Sequence, residues 1–118
     1  MARISFGSAE VGRQRGLREV SVRLDVGGTD RSGTARVGRD DTLAGASARA
    51  TLTALGELAP AVTGVRVGEL AAGPLEVVQV ELDTPDGVLD GSCSERGREL
   101  PEAVARAVLD ALNPWWDA

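Results

Sequence analysis

The sequence predicts an α+β fold: a tandem duplication of one βββα unit about a pseudo-twofold axis, with antiparallel hairpins packed on two helices. Three observations predict it. Val20-Ser21-Val22-Arg23-Leu24-Asp25 matches Val78-Gln79-Val80-Glu81-Leu82-Asp83 at an offset of 58, and Gly33 matches Gly91 at the same offset. Ala48-Arg49-Ala50-Thr51-Leu52-Thr53-Ala54-Leu55 matches Ala105-Arg106-Ala107-Val108-Leu109-Asp110-Ala111-Leu112 at an offset of 57, with six of eight positions identical. Each copy also carries the same turn and cap residues in the same order. A repeat of this kind sets the architecture before any single element is read. One residue deleted before the second helix accounts for the change of offset. The copies span about residues 3–58 and 63–116 of a single domain.

The first strand of copy one starts at Ile4-Ser5-Phe6 and runs to about Val11; its counterpart is Val65 to Leu70. In the second strand Val20, Val22, Leu24 and Val26 alternate with mostly polar residues, the period of a half-buried strand. Val78, Val80 and Leu82 repeat that alternation. Gly27-Gly28 and Asp86-Gly87 mark tight turns, because glycine reaches positive φ without steric cost. Third strands follow over about Arg31–Val37 and Val88–Ser94, so each copy holds a β-hairpin. The pattern leaves open whether the six strands form one sheet or two.

The helices come last in each copy. Asp41 or Thr42 is the expected N-cap of the first. Pro101 suits the first turn of the second, where its missing N–H costs nothing. Val104, Val108, Ala111 and Leu112 share one face, with Ala105 and Leu109 at its edge and Arg106 and Asp110 pointing away. The copy-one face is Ser47, Thr51, Ala54 and Leu55, with Leu52 at its edge. It is more polar, which predicts shallower packing. Gly56 and Asn113 fall at the same repeat position and are expected to end the helices, with Pro60 and Pro114 blocking continuation.

This pattern resembles the C-terminal regulatory domain of 2-isopropylmalate synthase, shared with citramalate synthase. The match is carried by Asp41-Thr42-Leu43-Ala44-Gly45-Ala46-Ser47-Ala48-Arg49-Ala50-Thr51-Leu52-Thr53-Ala54-Leu55, which is similar to the family's helix signature. In the second copy Ala107-Val108-Leu109-Asp110-Ala111-Leu112-Asn113 repeats its ending, and Val78 to Leu82 with Gly87 and Gly91 looks like its hairpin. The resemblance covers about Ile4 to Asn113. It implies two βββα modules, a homodimer, and a small-molecule effector or partner protein bound near the pseudo-dyad. The family's catalytic barrel is not in these 118 residues, so the resemblance implies no catalytic activity. The copy-two loop Ala71-Ala72-Gly73-Pro74 lacks the polar groups that would recognise an ammonium or a carboxylate.

Composition narrows the chemistry. There is no His, Lys or Tyr, which removes the commonest general base, Schiff-base chemistry and phenolic acid catalysis. All 13 basic residues are Arg, and the formal charge of −5 argues against nucleic acid as a partner. No run of about 18 apolar residues exists to span a membrane. The N-terminus lacks the charged start and apolar stretch of a signal peptide. The one cysteine, Cys93, can form neither an internal disulfide nor a thiolate-rich zinc site. These features predict a cytoplasmic, non-catalytic protein with no cofactor and no metal.

Four groups stand as site candidates, each beside a structural role. Arg13, Arg15 and Arg18, in a Gly-rich loop between Gly12 and Gly16 or just beyond it, could clamp an anion, or could be a solvated hairpin loop. Cys93, with Arg96 or Arg98 nearby, could be a nucleophile, or a half-buried strand thiol. Asp40 and Asp41 with Asp30 could hold a cation, or could cap a helix. Trp115 and Trp116 could form a homodimer or partner contact, or a tail that packs on its own domain; both cannot easily be buried one residue apart.

Overall fold

A computed structural model describes residues 3–72 and 75–117. The chain runs β1 (Ile4–Gln14), β2 (Leu17–Val26), β3 (Thr29–Arg36), α1 (Leu43–Leu55), β4 (Gly64–Ala72), β5 (Leu75–Thr84), β6 (Gly87–Ser94) and α2 (Leu100–Asp117), with one 3-10 turn over Gly56–Leu58 after α1. This is the duplicated βββα unit. The strands form two separate antiparallel sheets, ordered β1-β2-β3 and β4-β5-β6. Gly73 and Pro74 of the short copy-two loop lie outside the described residues.

The two sheets share one register. Val11 faces Val20 as Glu69 faces Val78, and Val20 faces Ala35 as Val78 faces Cys93. The offset of 58 is therefore a structural equivalence. Among the strands it breaks once, at a bulge between Phe6 and Ser8. There a Cβ on Gly7 would press on the carbonyl oxygen of Arg23, at 2.9 Å. The extra residue puts Phe6 opposite Leu24 where repeat two has Val65 opposite Leu82.

The strands run well past their apolar alternation. β1 and β2 continue to a two-residue turn, Arg15-Gly16, with φ of 54° and 79°. Positive φ at both central residues is the primed hairpin turn that fits the strand twist. Arg13 and Arg18 are thus not in a loop, as the glycines suggested: they face each other across the ladder, and only Arg15 sits in the turn.

Each helix lies on the inner face of its own sheet. Val20, Val22 and Leu24 are fully buried under α1, and Val78, Val80 and Leu82 under α2. Each such side chain stabilises the fold by roughly 1.5–3 kcal/mol on leaving water. The matched glycines set the approach distance. A Cβ on Gly33 would collide with Ala50 O and Ala54 N, and one on Gly91 with Ala107 O and Ala111 N. The alanines on the helices serve the same end. α1 also packs on α2 and reaches β4, while α2 reaches β1, so the repeats interlock reciprocally around one buried cluster.

Two local expectations are corrected, and one left open between two residues is decided. The polar face of α1 is not shallow: Ser47 and Thr51 are both fully buried. Their hydroxyls donate to the carbonyls one turn back, Leu43 O at 2.7 Å and Ser47 O at 2.8 Å, so burial leaves no donor unmet. The N-cap of α1 is Thr42, whose Oγ1 accepts from Gly45 N at 2.9 Å. Asp41 sits one residue earlier, accepting from Gly38 N and pairing with Arg49. Finally, α1 stops at Gly56 (φ 54°), but α2 runs through Asn113 and Pro114 to Asp117. The proline forfeits one helical hydrogen bond. The extra turn is held instead by Trp116, whose Nε1 donates to Leu58 O at 2.7 Å.

No helix among the described residues is long and apolar enough to cross a membrane.

Candidate functional site

The interlock creates two equivalent crossings, α1 over β4 and α2 over β1, and they are filled differently. Where α2 meets β1, the Phe6 ring lies 5.0 Å from the Arg106 guanidinium carbon, a cation–π contact. Arg106 is held there by Glu102 at 2.8 Å. Where α1 meets β4, the corresponding residues are Val65, Arg49 and Gly45. Val65 is smaller than Phe6, and Gly45 brings no side chain where repeat two has Glu102. Arg49 is drawn to Arg36 O at 3.1 Å and to Asp41 at 3.2 Å. A groove of about 480 Å³ remains, lined by Leu52, Val62 and Val65 on its apolar side and by Arg49, Thr53 and Thr63 among its polar groups.

The arginine trio sits at the β1–β2 tip. Arg13 lines a shallow concavity of about 340 Å³ there, but Glu10 and Glu19 line it too, which offsets its pull on an anion. Arg15 and Arg18 do not line it. The trio is exposed and makes no ion pair among the described residues.

The matching end of repeat two is acidic. Glu69, Glu76 and Glu95 bring carboxylate oxygens within 4.8 Å of one another, the only such acidic group among the described residues. The backbone there copies repeat one: Glu95 N donates to Glu76 O at 3.0 Å, as Val37 N donates to Arg18 O at 2.9 Å. Glu95 Oε2 is buried without a hydrogen-bond partner. Burial and the charges of Glu69 and Glu76 hold the Glu95 carboxyl above the usual glutamate range. Three oxygens are half or fewer of those a calcium ion takes. Nothing in the local sequence marks this cluster. The signal that could have found it is the repeat, which pairs Val11 with Glu69, Arg18 with Glu76 and Val37 with Glu95.

The other candidates are accounted for structurally. Cys93 is half-buried and its Sγ contacts Ser94 O at 3.4 Å. Burial pushes its thiol up against the opposing pull of Arg98 and Arg106, so the thiolate is disfavoured. Asp30, Asp40 and Asp41 do not converge as a cation site. Asp30 lies in β3 opposite Asp25, and Asp41 is tied to Gly38 and Arg49. Trp116 folds back onto the core while Trp115 stays 41% exposed.

No protein-family model matches this chain, and no curated protein sequence matches it either.

Proposed function

We propose that this chain is a non-catalytic, cytoplasmic regulatory or binding module that dimerises and holds one small ligand in the groove between α1 and β4. The observation that carries the reading is the unequal filling of two equivalent crossings. One is closed by the Phe6 ring under Arg106; the other keeps about 480 Å³ open beside Arg49. A ligand for that groove has an apolar body about the size of the missing ring and a polar group for Thr53, Thr63 or Arg49. The resemblance to effector-binding regulatory domains supports the same reading. The residue inventory supports a role without catalysis, since His, Lys and Tyr are absent and the one thiol is pushed toward its protonated form.

The test is thermal denaturation against a panel of small carboxylates and amino acids with branched or aromatic side chains. A compound that binds only the folded state at a hundred times its Kd adds about 2.7 kcal/mol of stability. Leu52→Trp, which fills the groove, is expected to raise the melting temperature slightly by itself and to abolish the ligand's shift. A panel without any shift, or a shift that Leu52→Trp leaves intact, rules the groove out as the site.

A further inference from the structure

We propose that the two hairpin ends bind each other between molecules: the β1–β2 tip of one copy, with Arg13, Arg15 and Arg18, docks on the β4–β5 end of a second copy, with Glu69, Glu76 and Glu95. The inference rests on the self-association named above and gives it a surface. Charge complementarity is the first argument. Residues 1–58 carry nine arginines against seven carboxylates, a net +2, and residues 59–118 carry four against eleven, a net −7, which together make the chain's −5. Opposite net charges lie at equivalent places: the shared register puts Arg18 and Glu76 at the same position of the two sheets, and the three arginines leave their tip a net +1 after Glu10 and Glu19.

None of these six side chains makes an ion pair within its own molecule among the described residues. Glu69 and Glu76 are exposed, so their carboxylates are open to an incoming guanidinium. A guanidinium from a neighbouring tip supplies up to two N–H groups to such a carboxylate. Exposed apolar surface gathers at the same ends. Val11 (43%), Leu17 (43%) and Leu70 (54%) are three of the five large hydrophobic residues exposed among the described residues. By strand alternation Val11 shares the face of Arg13 and Arg18, while Leu17 and Leu70 lie on the opposite faces of their sheets, at the edge of the contact. In a twofold pair each copy gives one basic tip and receives another, so both contacts form together.

The experiment uses two charge-reversal variants of the full chain. Arg13→Glu/Arg18→Glu makes both ends acidic, and Glu69→Arg/Glu76→Arg makes both basic; all four positions are exposed. Mass is read by sedimentation equilibrium, with circular dichroism and melting to confirm folding. Wild type is expected to associate above its monomer mass of 12.2 kDa at low salt. Each variant alone is expected to stay monomeric, and their equimolar mixture to associate again. Raising salt from about 0.05 to about 0.5 M is expected to weaken wild type and mixture alike, by roughly tenfold. Folded variants that associate alone like wild type overturn the contact while leaving dimerisation through another surface in place. A mixture of folded variants that stays monomeric overturns it as well. So does a wild type that is monomeric at every concentration, and in each case the groove stands or falls on its own melting test.

Discussion

Where repeat one carries Val37, buried in the core, repeat two carries Glu95, and where repeat one carries Arg18, repeat two carries Glu76. Such substitutions within one shared backbone separate what the βββα unit needs from what each copy adds. The unit needs three alternating apolar residues on its middle strand, a glycine on its third strand and a close-packed alanine-bearing helix; both copies keep all of these. It does not need a particular residue beyond the helix, and there the copies diverge in charge. Their helix ends diverge too. Arg31 donates to Ala54 O at 3.0 Å and pairs with Glu57 at the end of α1, whereas its equivalent Leu89 packs against the core and Trp116 anchors the end of α2.

The largest expected effect lies where the repeats agree. Gly33→Val and Gly91→Val each push a side chain into the backbone of the covering helix, and neither helix can retreat without uncovering its sheet. Each is expected to cost about 3 kcal/mol, the upper range for overpacking, measured by urea denaturation. Equal losses support one shared packing device. A much smaller loss at Gly33 would mean that α1 is free to lift, and would break the equivalence.

Next is a residue that only repeat two has. Trp116→Ala removes a half-buried ring and its hydrogen bond to Leu58 O, and is expected to cost about 2 kcal/mol. Trp116→Phe keeps most of the ring and is expected to cost about 1 kcal/mol. Amide exchange over residues 113–117 should rise in both variants, returning the end of α2 to the place where α1 stops. Trp115→Ala, on the exposed neighbour, should leave that exchange unchanged.

The two helix faces give a smaller, reciprocal pair. Thr51 and Val108 are equivalent and both fully buried. Thr51→Val removes a hydroxyl whose only bond is to its own helix, so it is expected to be neutral or to stabilise by about 0.5 kcal/mol. Val108→Thr buries a new hydroxyl that must find the Val104 carbonyl, and is expected to cost about 1 kcal/mol. Similar costs for both changes would show that the hydroxyls of α1 contribute to packing rather than being tolerated there.

The duplication was legible because its apolar period and matched glycines recur at a fixed spacing, and those are the features that packing constrains most. The reason for Gly33 and Gly91 was not legible. A close approach of helix to strand leaves no trace in the sequence except a missing side chain. The strands outrun their apolar alternation, because Arg13, Gln14 and Arg18 extend a ladder that needs backbone groups and not apolar side chains. The end of α2 is not legible locally, because the stop signal of Asn113-Pro114 gives way to a contact between Trp116 and Leu58, 58 residues away. The groove arises between α1 and β4, elements of different repeats, and the acidic end is assembled from three strands' ends; neither leaves a contiguous motif.

The smallest effect bears on the divergence at residue 95. The Glu95 carboxyl is held above its ordinary value of 4.5 by burial and by Glu69 and Glu76. In the unfolded chain it ionises at the ordinary value, while the folded chain keeps the proton to higher pH. The folded state therefore binds more protons between those two values, and its stability falls as pH rises through that window. Glu95→Gln removes the ionisation while keeping the shape. It is expected to match wild type in melting temperature below the window and to exceed it slightly at pH 7. Glu95→Val, which copies Val37 of repeat one, should flatten the same pH dependence. A melting temperature for Glu95→Gln that tracks wild type at every pH would mean that the three carboxylates do not press on one another, and that the acidic end is a scatter of separately solvated side chains.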